Sequence, residues 1–225
     1  MTLPFWLALL FALLDWYAVA RRLTRLERAA KPAALALLAL WFWLAAPTLQ
    51  QSFMVAFAAG LLFSLAGDIF LLFPGAHFLK GLIAFFLAHL AYLAAFNPGG
   101  PRLEARTYWL AAGIAILAYF LTRRIVAGLR TSGRDSLVVP VILYAVVLSL
   151  TLWSTLATLF RPEWPPQGAA LAAAGGALFF LSDALLAWNR FVQPLRHGRL
   201  ANMVSYHLAQ GCMAFGLLAF AASLA

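Results

Sequence analysis

The chain has 225 residues, of which 65% are hydrophobic and only 10% are charged. Because soluble domains use roughly 45–50% apolar residues, this composition excludes an ordinary soluble domain and predicts an all-α membrane protein. The formal net charge of +9 would suit a nucleic-acid partner, but the basic residues lie in short segments between apolar runs, which is typical of membrane topology. We therefore expect contact with membrane lipids and no nucleic-acid partner.

Eight apolar runs follow one another, most of them close to the about 20 residues that a helix needs to cross a bilayer. They predict a polytopic bundle of about eight transmembrane helices, and we expect residues 1–225 to form a single integral membrane domain. The predicted spans cover residues 3–20, 32–46, 52–73, 77–96, 108–127, 137–157, 168–188 and 200–224. Arg21–Lys31 is predicted to be a basic loop that ends at Pro32, since proline suits the first turn of a helix.

Basic residues are concentrated in alternate connections. Thirteen of the 16 Lys and Arg residues lie near the connections after the first, third, fifth and seventh predicted spans, and three lie on the opposite side. Lys and Arg mark the cytoplasmic side of membrane proteins. The bias predicts a multi-pass protein of the cell's inner (cytoplasmic) membrane with both termini outside the cytoplasm.

Two carboxylates interrupt the apolar runs. Asp68 follows Gly67 in the third span, and Asp183 follows Ser182 in the seventh. A charged side chain at the bilayer centre costs at least about 2.5–3.5 kcal/mol, which favours a functional role over a purely structural hydrogen bond to a neighbouring helix. Both spans run in the same direction, so the two carboxylates are expected at one depth near the cytoplasmic face. Two nearby carboxyls in a low dielectric titrate separately, and one can stay protonated while the other is ionised.

Other polar residues accompany the aspartates. Tyr206 and His207 are expected close to the same depth in the last span, with Gln210 one turn further, whereas His89 and Tyr92 lie deeper on one face of the fourth span. A metal site would combine His89 and His207 with the two aspartates. Because no compact histidine motif is present, we expect no metal and no cofactor.

The basic segments allow a second interpretation besides topology. Lys31, Lys80, Arg123 and Arg124 are candidates for binding a phosphate group.

The two halves of the chain contain similar short motifs. Gly67-Asp68 followed by His89-Leu90-Ala91-Tyr92 is similar to Ser182-Asp183 followed by His207-Leu208-Ala209-Gln210, with the aspartate and histidine 21 and 24 residues apart. Both pairs run in the same direction through the membrane. This similarity predicts a parallel internal repeat of four plus four spans.

Five motifs follow one another along the chain. They are Lys31-Pro32, Gly67-Asp68-x-x-Leu71-Leu72, Phe78-x-x-Gly81-x-x-x-Phe85-x-x-x-His89-x-x-Tyr92, Gly176-Ala177-x-x-Phe180-x-Ser182-Asp183-x-Leu185-x-x-x-Asn189-Arg190-Phe191 and Tyr206-x-x-x-Gln210. Together they resemble the YhhN-type lysoplasmalogenase family of multispanning membrane proteins. One departure is His207, which stands where that family often has a tyrosine.

The resemblance implies an enzyme that hydrolyses the vinyl ether bond of lysoplasmalogens to a fatty aldehyde and glycerophosphocholine or glycerophosphoethanolamine. It also implies that Asp68 and Asp183 are catalytic. The chemistry agrees, because vinyl ether hydrolysis needs one protonated acid and one carboxylate that stabilises a cation and activates water. The residues that we expect to bind the lysophospholipid substrate are Lys31, His89, Tyr92, Tyr206, His207 and Gln210.

Two alternatives remain open from the sequence. One is a metal-dependent membrane lipid hydrolase that uses His89, His207 and the two aspartates. The other is a proton-coupled transporter of a small molecule or lipid, in which the carboxylates carry protons.

Overall fold

The structure is a computed structural model that describes residues 2–46 and 51–224. Two short 3₁₀ turns, Asp135–Leu137 and Thr158–Phe160, flank the sixth long helix. In the described residues the long helices are α1 (Leu3–Arg21), α2 (Thr24–Ala45), α3 (Ser52–Leu71), α4 (Pro74–Phe96), α5 (Ala105–Thr131), α6 (Val138–Ala157), α7 (Pro166–Phe191) and α8 (Gly198–Ser223).

Eight helices within the described ranges are long and apolar enough to cross a membrane, and these ranges contain no β-strand. The prediction of an all-α polytopic membrane protein is therefore confirmed. Met1 and Ala225, the terminal residues whose side of the membrane the charge bias predicts, lie outside the described residues.

The predicted basic loop over Arg21–Lys31 is wrong. Helix α2 begins at Thr24, and only Arg22 and Leu23 separate it from α1. Arg22 adopts a left-handed conformation with φ of 58°, and the N–H of Leu23 bonds to the carbonyl of Ala18, which turns the chain tightly. The residues before Pro32 are Leu, Arg, Glu, Ala and Lys, all good helix formers, so the helix starts early and continues through the proline.

Glycines allow the helix pairs α3–α4 and α7–α8 to approach closely. A Cβ atom at Gly67 would lie 2.6 Å from the ring of Phe85 in α4. A Cβ atom at Gly175 would lie 2.7 Å from the backbone nitrogen of Met213 in α8. Small residues at such contacts bring helix backbones together and strengthen packing where no water drives association.

These two helix pairs are the ones that the predicted four-plus-four repeat would equate. Tyr92 in α4 and Gln210 in α8, which occupy matching positions of the two similar motifs, are hydrogen-bonded to each other at 2.8 Å. The repeat itself stays a prediction.

The site-bearing end of the bundle is where α1 leads into α2, α3 into α4, and α7 into α8. We call it the basic end, because Arg28, Lys31, Arg190 and Arg199 lie there. A large apolar cluster occupies the interior of the bundle next to it and includes Phe57, Tyr92 and Phe179. Helix α5 lies at the periphery, where its Trp109 is 80% exposed, as expected for a side chain that faces lipid.

Candidate functional site

A cavity of about 490 Å³ lies at the basic end of the bundle. Five helices contribute to its wall: the beginnings of α2, α4 and α8 and the ends of α3 and α7. Asp68 and Asp183 both line it, together with Lys31 and Tyr206. The structure thus brings four of the eight predicted site residues to one chamber, although they are far apart in the sequence.

Asp68 is buried and held by two donors from different helices. The Lys31 Nζ atom of α2 lies 3.0 Å from its Oδ1 atom, and both side chains are almost completely buried. The Tyr206 hydroxyl of α8 donates to its Oδ2 atom at 2.8 Å. Both carboxylate oxygens therefore act as acceptors, which is the arrangement of an ionised carboxylate.

Asp183 has different partners. The Tyr144 hydroxyl of α6 donates a hydrogen bond to its Oδ2 atom, and the Nε2 atom of His89 lies 3.6 Å from the same oxygen. The side chain is 11% exposed and also lines the cavity.

The His89 ring is fixed on the far side of Asp183. Its Nδ1 atom lies 3.2 Å from the Thr151 hydroxyl, and its Nε2 atom lies 3.2 Å from the Tyr144 hydroxyl. The ring is completely buried, so it reaches the cavity only through Asp183 and Tyr144. This connection links α4, α6 and α7 in one polar chain.

Helices α7 and α8 are tied together beside Asp183. The Asn202 side-chain amide of α8 donates to the Ser182 carbonyl at 2.7 Å and to the Ser182 hydroxyl at 2.9 Å. The Ser182 hydroxyl in turn donates to the Asn202 carbonyl at 3.2 Å. Because Asp183 follows Ser182 directly and Tyr206 is one turn beyond Asn202, this contact fixes the position of Asp183 relative to Tyr206.

A second, narrow cavity of about 50 Å³ adjoins the first. The two share Asp183, Phe78, Phe85, Leu71 and Leu186 as lining residues. Apart from Asp183 and Tyr144, the narrow cavity is lined only by apolar residues of α3, α4, α6 and α7. Asp183 therefore stands at the junction between a chamber with many polar groups and an apolar slot.

Three other predicted site residues lie away from the chamber. The Tyr92 hydroxyl bonds to Gln210 and, at 3.0 Å, to the Ser64 hydroxyl, forming a buried group behind Tyr206. His207 accepts a hydrogen bond at 2.9 Å from the indole nitrogen of Trp16 and lines a separate cavity of about 200 Å³ that α1, α2 and α8 surround. Direct substrate contact by Tyr92, Gln210 and His207 stays a prediction.

The rim of the chamber is formed by charged residues that were not predicted from the sequence to bind substrate. Of the four phosphate candidates, Lys31 lines the chamber, but Lys80, Arg123 and Arg124 do not. Arg28, Arg190, Arg199 and Glu27 line it instead. For Glu27 and Arg28 the sequence did contain a signal. The good helix formers before Pro32 indicate that α2 starts early, and a helix over Thr24–Lys31 puts Glu27, Arg28 and Lys31 on one face.

Tyr144 and Asn202 were also missed. Each is a single polar residue in a span without a recognisable motif, and its partner lies in another helix. Residues 2–46 and 51–224 contain no group of three or more His, Cys, Asp or Glu side chains placed to hold a metal ion.

Fold and site together define a polytopic helical membrane protein with two carboxylates in a chamber at one end of the bundle. The chain belongs to the YhhN family, whose model matches residues 26–217.

Among its relatives is the lysoplasmalogenase TMEM86B of Sus scrofa, which is 38% identical over 152 residues, covering 67% of this chain and 58% of the relative. The human lysoplasmalogenase TMEM86A is 33% identical over 173 residues, covering 76% and 66%. The lysoplasmalogenase of Mycobacterium tuberculosis is 29% identical over 141 residues, covering 59% and 48%. The matches thus span less than two thirds of these relatives' own length, and no solved structure gives a significant match.

Proposed function

We propose that this protein hydrolyses the vinyl ether bond of lysoplasmalogens, releasing a fatty aldehyde and a glycerophosphocholine or glycerophosphoethanolamine. The observation that carries the proposal is the pair of aspartates that line one chamber with different hydrogen-bond partners. The family membership and the names of the relatives, which are lysoplasmalogenases, support the choice of substrate.

In this proposal Asp183 is the acid. A vinyl ether is cleaved when a proton adds to the carbon that is not bonded to oxygen, which leaves an oxocarbenium ion. Asp183 carries that proton on Oδ1, while Tyr144 holds Oδ2 in place. Proton transfer from a positioned side chain contributes typically about 10²–10⁴-fold to a rate.

Asp68 is the base and the stabilising charge. Its ionised carboxylate, held by Lys31 and Tyr206, stabilises the oxocarbenium ion and takes a proton from the water that attacks it. The product of that step is a hemiacetal. When the hemiacetal collapses, Asp68 returns its proton to the departing glycerol oxygen and Asp183 takes the proton of the hemiacetal hydroxyl, so both residues regain their starting states.

The shape of the site supports an amphipathic substrate. The chamber has a charged rim with Arg28, Arg190 and Arg199, and the adjoining slot is apolar. A lysophospholipid with its headgroup at the rim and its alkenyl chain entering the slot would place the ether linkage near Asp183. Because the slot is small, most of the chain would continue into the surrounding bilayer.

The orientation in the membrane is part of the proposal. With the basic end on the cytoplasmic side of the inner membrane, the chamber faces the cytoplasmic leaflet and both termini lie outside the cytoplasm. The glycerophospho product then leaves to the cytoplasm, and the aldehyde leaves to the bilayer.

Aldehyde release by the purified protein tests the proposed activity. The protein in detergent or liposomes is mixed with an alkenyl-glycerophosphoethanolamine, and fatty aldehyde is measured with and without a chelator. We expect aldehyde in both samples. Loss of aldehyde with the chelator would favour the metal-dependent alternative, and movement of substrate across sealed vesicles without any aldehyde would favour the transporter.

A further inference from the structure

An exposed ion pair at the chamber rim joins two helices. The Arg199 Nη2 atom of α8 lies 2.7 Å from the Glu27 Oε1 atom of α2. Both residues line the chamber that holds Asp68 and Asp183. The Arg199 side chain is 64% exposed, whereas that of Glu27 is 13% exposed. Both charges are therefore available to a substrate headgroup that occupies the basic end of the chamber.

We propose that the Glu27–Arg199 pair is the recognition site for a zwitterionic headgroup, whose phosphate binds Arg199 while its ammonium group binds Glu27. The inference rests on the proposed function and adds to it the subsite that selects the headgroup. The Glu27–Arg199 pair contains one negative and one positive charge, as a phosphoethanolamine or phosphocholine group does. The substrate therefore exchanges one ion pair for two, and neither protein charge is left without a partner.

The energetics favour such an exchange. An ion pair with an exposed arginine is weak, because water and salt screen it, so the pair opens readily. Guanidinium groups bind phosphate through two parallel hydrogen bonds, a geometry available to Arg199 once it leaves Glu27. Drawing Arg199 away alone would leave the largely buried Glu27 without a compensating charge, so a headgroup with both charges should bind better than an anion alone.

Neighbouring cations give the rim a positive field that favours phosphate. The Arg28 guanidinium lies over the ring of Phe73 at 5.2 Å, and the Arg190 guanidinium lies over the ring of Phe78 at 4.1 Å. These stacking contacts hold both arginines at the rim. Lys31 is already engaged by Asp68 deeper in the chamber, so the phosphate is expected to stay at the rim instead of approaching Asp68.

Three substrates with the same alkenyl chain test the exchange: alkenyl-glycerophosphoethanolamine, which has both charges, alkenyl-glycerophosphate, which has only the anion, and alkenylglycerol, which has neither. For Arg199→Gln we expect KM to rise roughly tenfold for the two phosphate-containing substrates, which corresponds to the loss of one charged contact. We expect no change for alkenylglycerol. The matched control is Arg196→Gln, since Arg196 is an exposed arginine just before α8 that does not line the chamber.

The variant Glu27→Gln gives the sharpest result, because the two phosphate substrates should respond differently. KM for alkenyl-glycerophosphate should fall, since Arg199 no longer has to leave Glu27. KM for alkenyl-glycerophosphoethanolamine should not fall with it, since its ammonium group loses a partner, and the preference for this substrate over alkenyl-glycerophosphate should disappear. A merely structural role of the pair would instead change the kinetics of all three substrates alike, and that result would overturn the inference, as would unchanged KM values.

Failure of the proposed function looks different. In that case the unmodified protein would release no aldehyde from any of the three substrates. Aldehyde release with KM values that are insensitive to Glu27→Gln and Arg199→Gln would leave the proposed function intact and remove only the headgroup subsite.

Discussion

Asp68 and Asp183 differ in what surrounds them, and this difference is the basis for assigning them different roles. Asp68 is held by an ammonium group and a hydroxyl, whereas Asp183 is held through one oxygen by Tyr144 and lies near His89. Pairs of carboxylates in unlike environments commonly divide acid and base duties. The partners in α2, α6 and α8, more than the two aspartates themselves, therefore decide the proposed mechanism.

Replacing the proposed acid should remove activity without removing the fold. We expect Asp183→Asn to lower kcat for aldehyde release by about 10²–10⁴-fold, since the N–H groups of an amide are too weakly acidic to protonate carbon, while Tyr144 still has an oxygen to bond. Thermal unfolding of the purified variant serves as the check on folding.

The same substitution at an exposed carboxylate is the matched control. Asp135, in the 3₁₀ turn before α6, is exposed, and Asp135→Asn should keep full activity. Near-normal turnover by Asp183→Asn would exclude Asp183 as the acid. Asp68→Asn is less informative, because it also leaves the buried Lys31 without its counter-charge and should destabilise the protein.

At this scale the sequence predicted the residues that carry a visible anomaly. A carboxylate in an apolar span is costly. The positions of Asp68, Asp183 and Tyr206 along their predicted spans placed all three at one depth in the membrane, and in the structure all three line the same cavity. Tyr144 gave no such signal, because a tyrosine in an apolar span is unremarkable until its hydroxyl is seen to meet Asp183. His207 shows the converse, since its depth was predicted but the direction of its side chain, toward Trp16, depends on how α1 packs.

Among the elements, the contact between α7 and α8 determines how Asp183 and Tyr206 lie relative to each other. This contact is set by Gly175, which faces the backbone of α8, and by the hydrogen bonds between Ser182 and Asn202. Any change that moves the two helices apart also moves Asp183 away from Tyr206. Helix packing and the site are thus coupled along one interface.

Adding a single methyl group at Gly175 should reveal this coupling. The Cβ of Gly175→Ala would lie 2.7 Å from the Met213 nitrogen and 2.9 Å from the Ala209 carbonyl oxygen, and backbone atoms cannot rotate away. We expect a loss of about 1–3 kcal/mol in the free energy of unfolding, measured as a lower Tm in detergent, together with reduced activity.

Gly113→Ala is the companion variant. Gly113 lies on α5, and a Cβ there meets nothing within 4 Å, so the substitution should leave stability unchanged or raise it slightly because alanine favours the helix. Equal Tm values for the two alanine variants would show that the close approach of α7 and α8 does not limit stability.

The apolar runs in the sequence predicted the number of long helices correctly, but they did not predict where the helices begin and end. Hydropathy marks the part of a helix inside the hydrocarbon, whereas helices such as α2 and α5 continue into polar sequence that forms good helix. The error at Arg21–Lys31 mattered, because it hid the rim residues Glu27 and Arg28. A charged stretch of good helix formers next to a span is better predicted as an extension of the helix than as a loop.

At the scale of the whole molecule, the chamber lies at the end of the bundle where basic residues are concentrated. The charge bias predicts that this basic end is cytoplasmic. A lysophospholipid in the cytoplasmic leaflet would then meet the rim with its headgroup and the slot with its chain.

A topology reporter tests the orientation. A reporter enzyme fused after the last residue should read out as extracytoplasmic, and one inserted in the connection between α5 and α6, near Gly133, should read out as cytoplasmic. The Gly133 connection is a suitable place because the residue is exposed and lies outside the long helices. The opposite pattern would turn the chamber toward the other leaflet and contradict the proposed orientation.

The route of bond cleavage is the central claim, and hydrolysis in water enriched in ¹⁸O tests it most directly. Alkenyl-glycerophosphoethanolamine is converted by the purified protein, and the glycerophosphoethanolamine product is analysed by mass spectrometry. Attack of water on an oxocarbenium ion bonds the new oxygen to the carbon that becomes the aldehyde carbon, while the glycerol keeps its original oxygen. We therefore predict fatty aldehyde together with glycerophosphoethanolamine that contains no ¹⁸O. Labelled glycerophosphoethanolamine would mean that the bond on the glycerol side had been cut, and that result would contradict the two-aspartate mechanism.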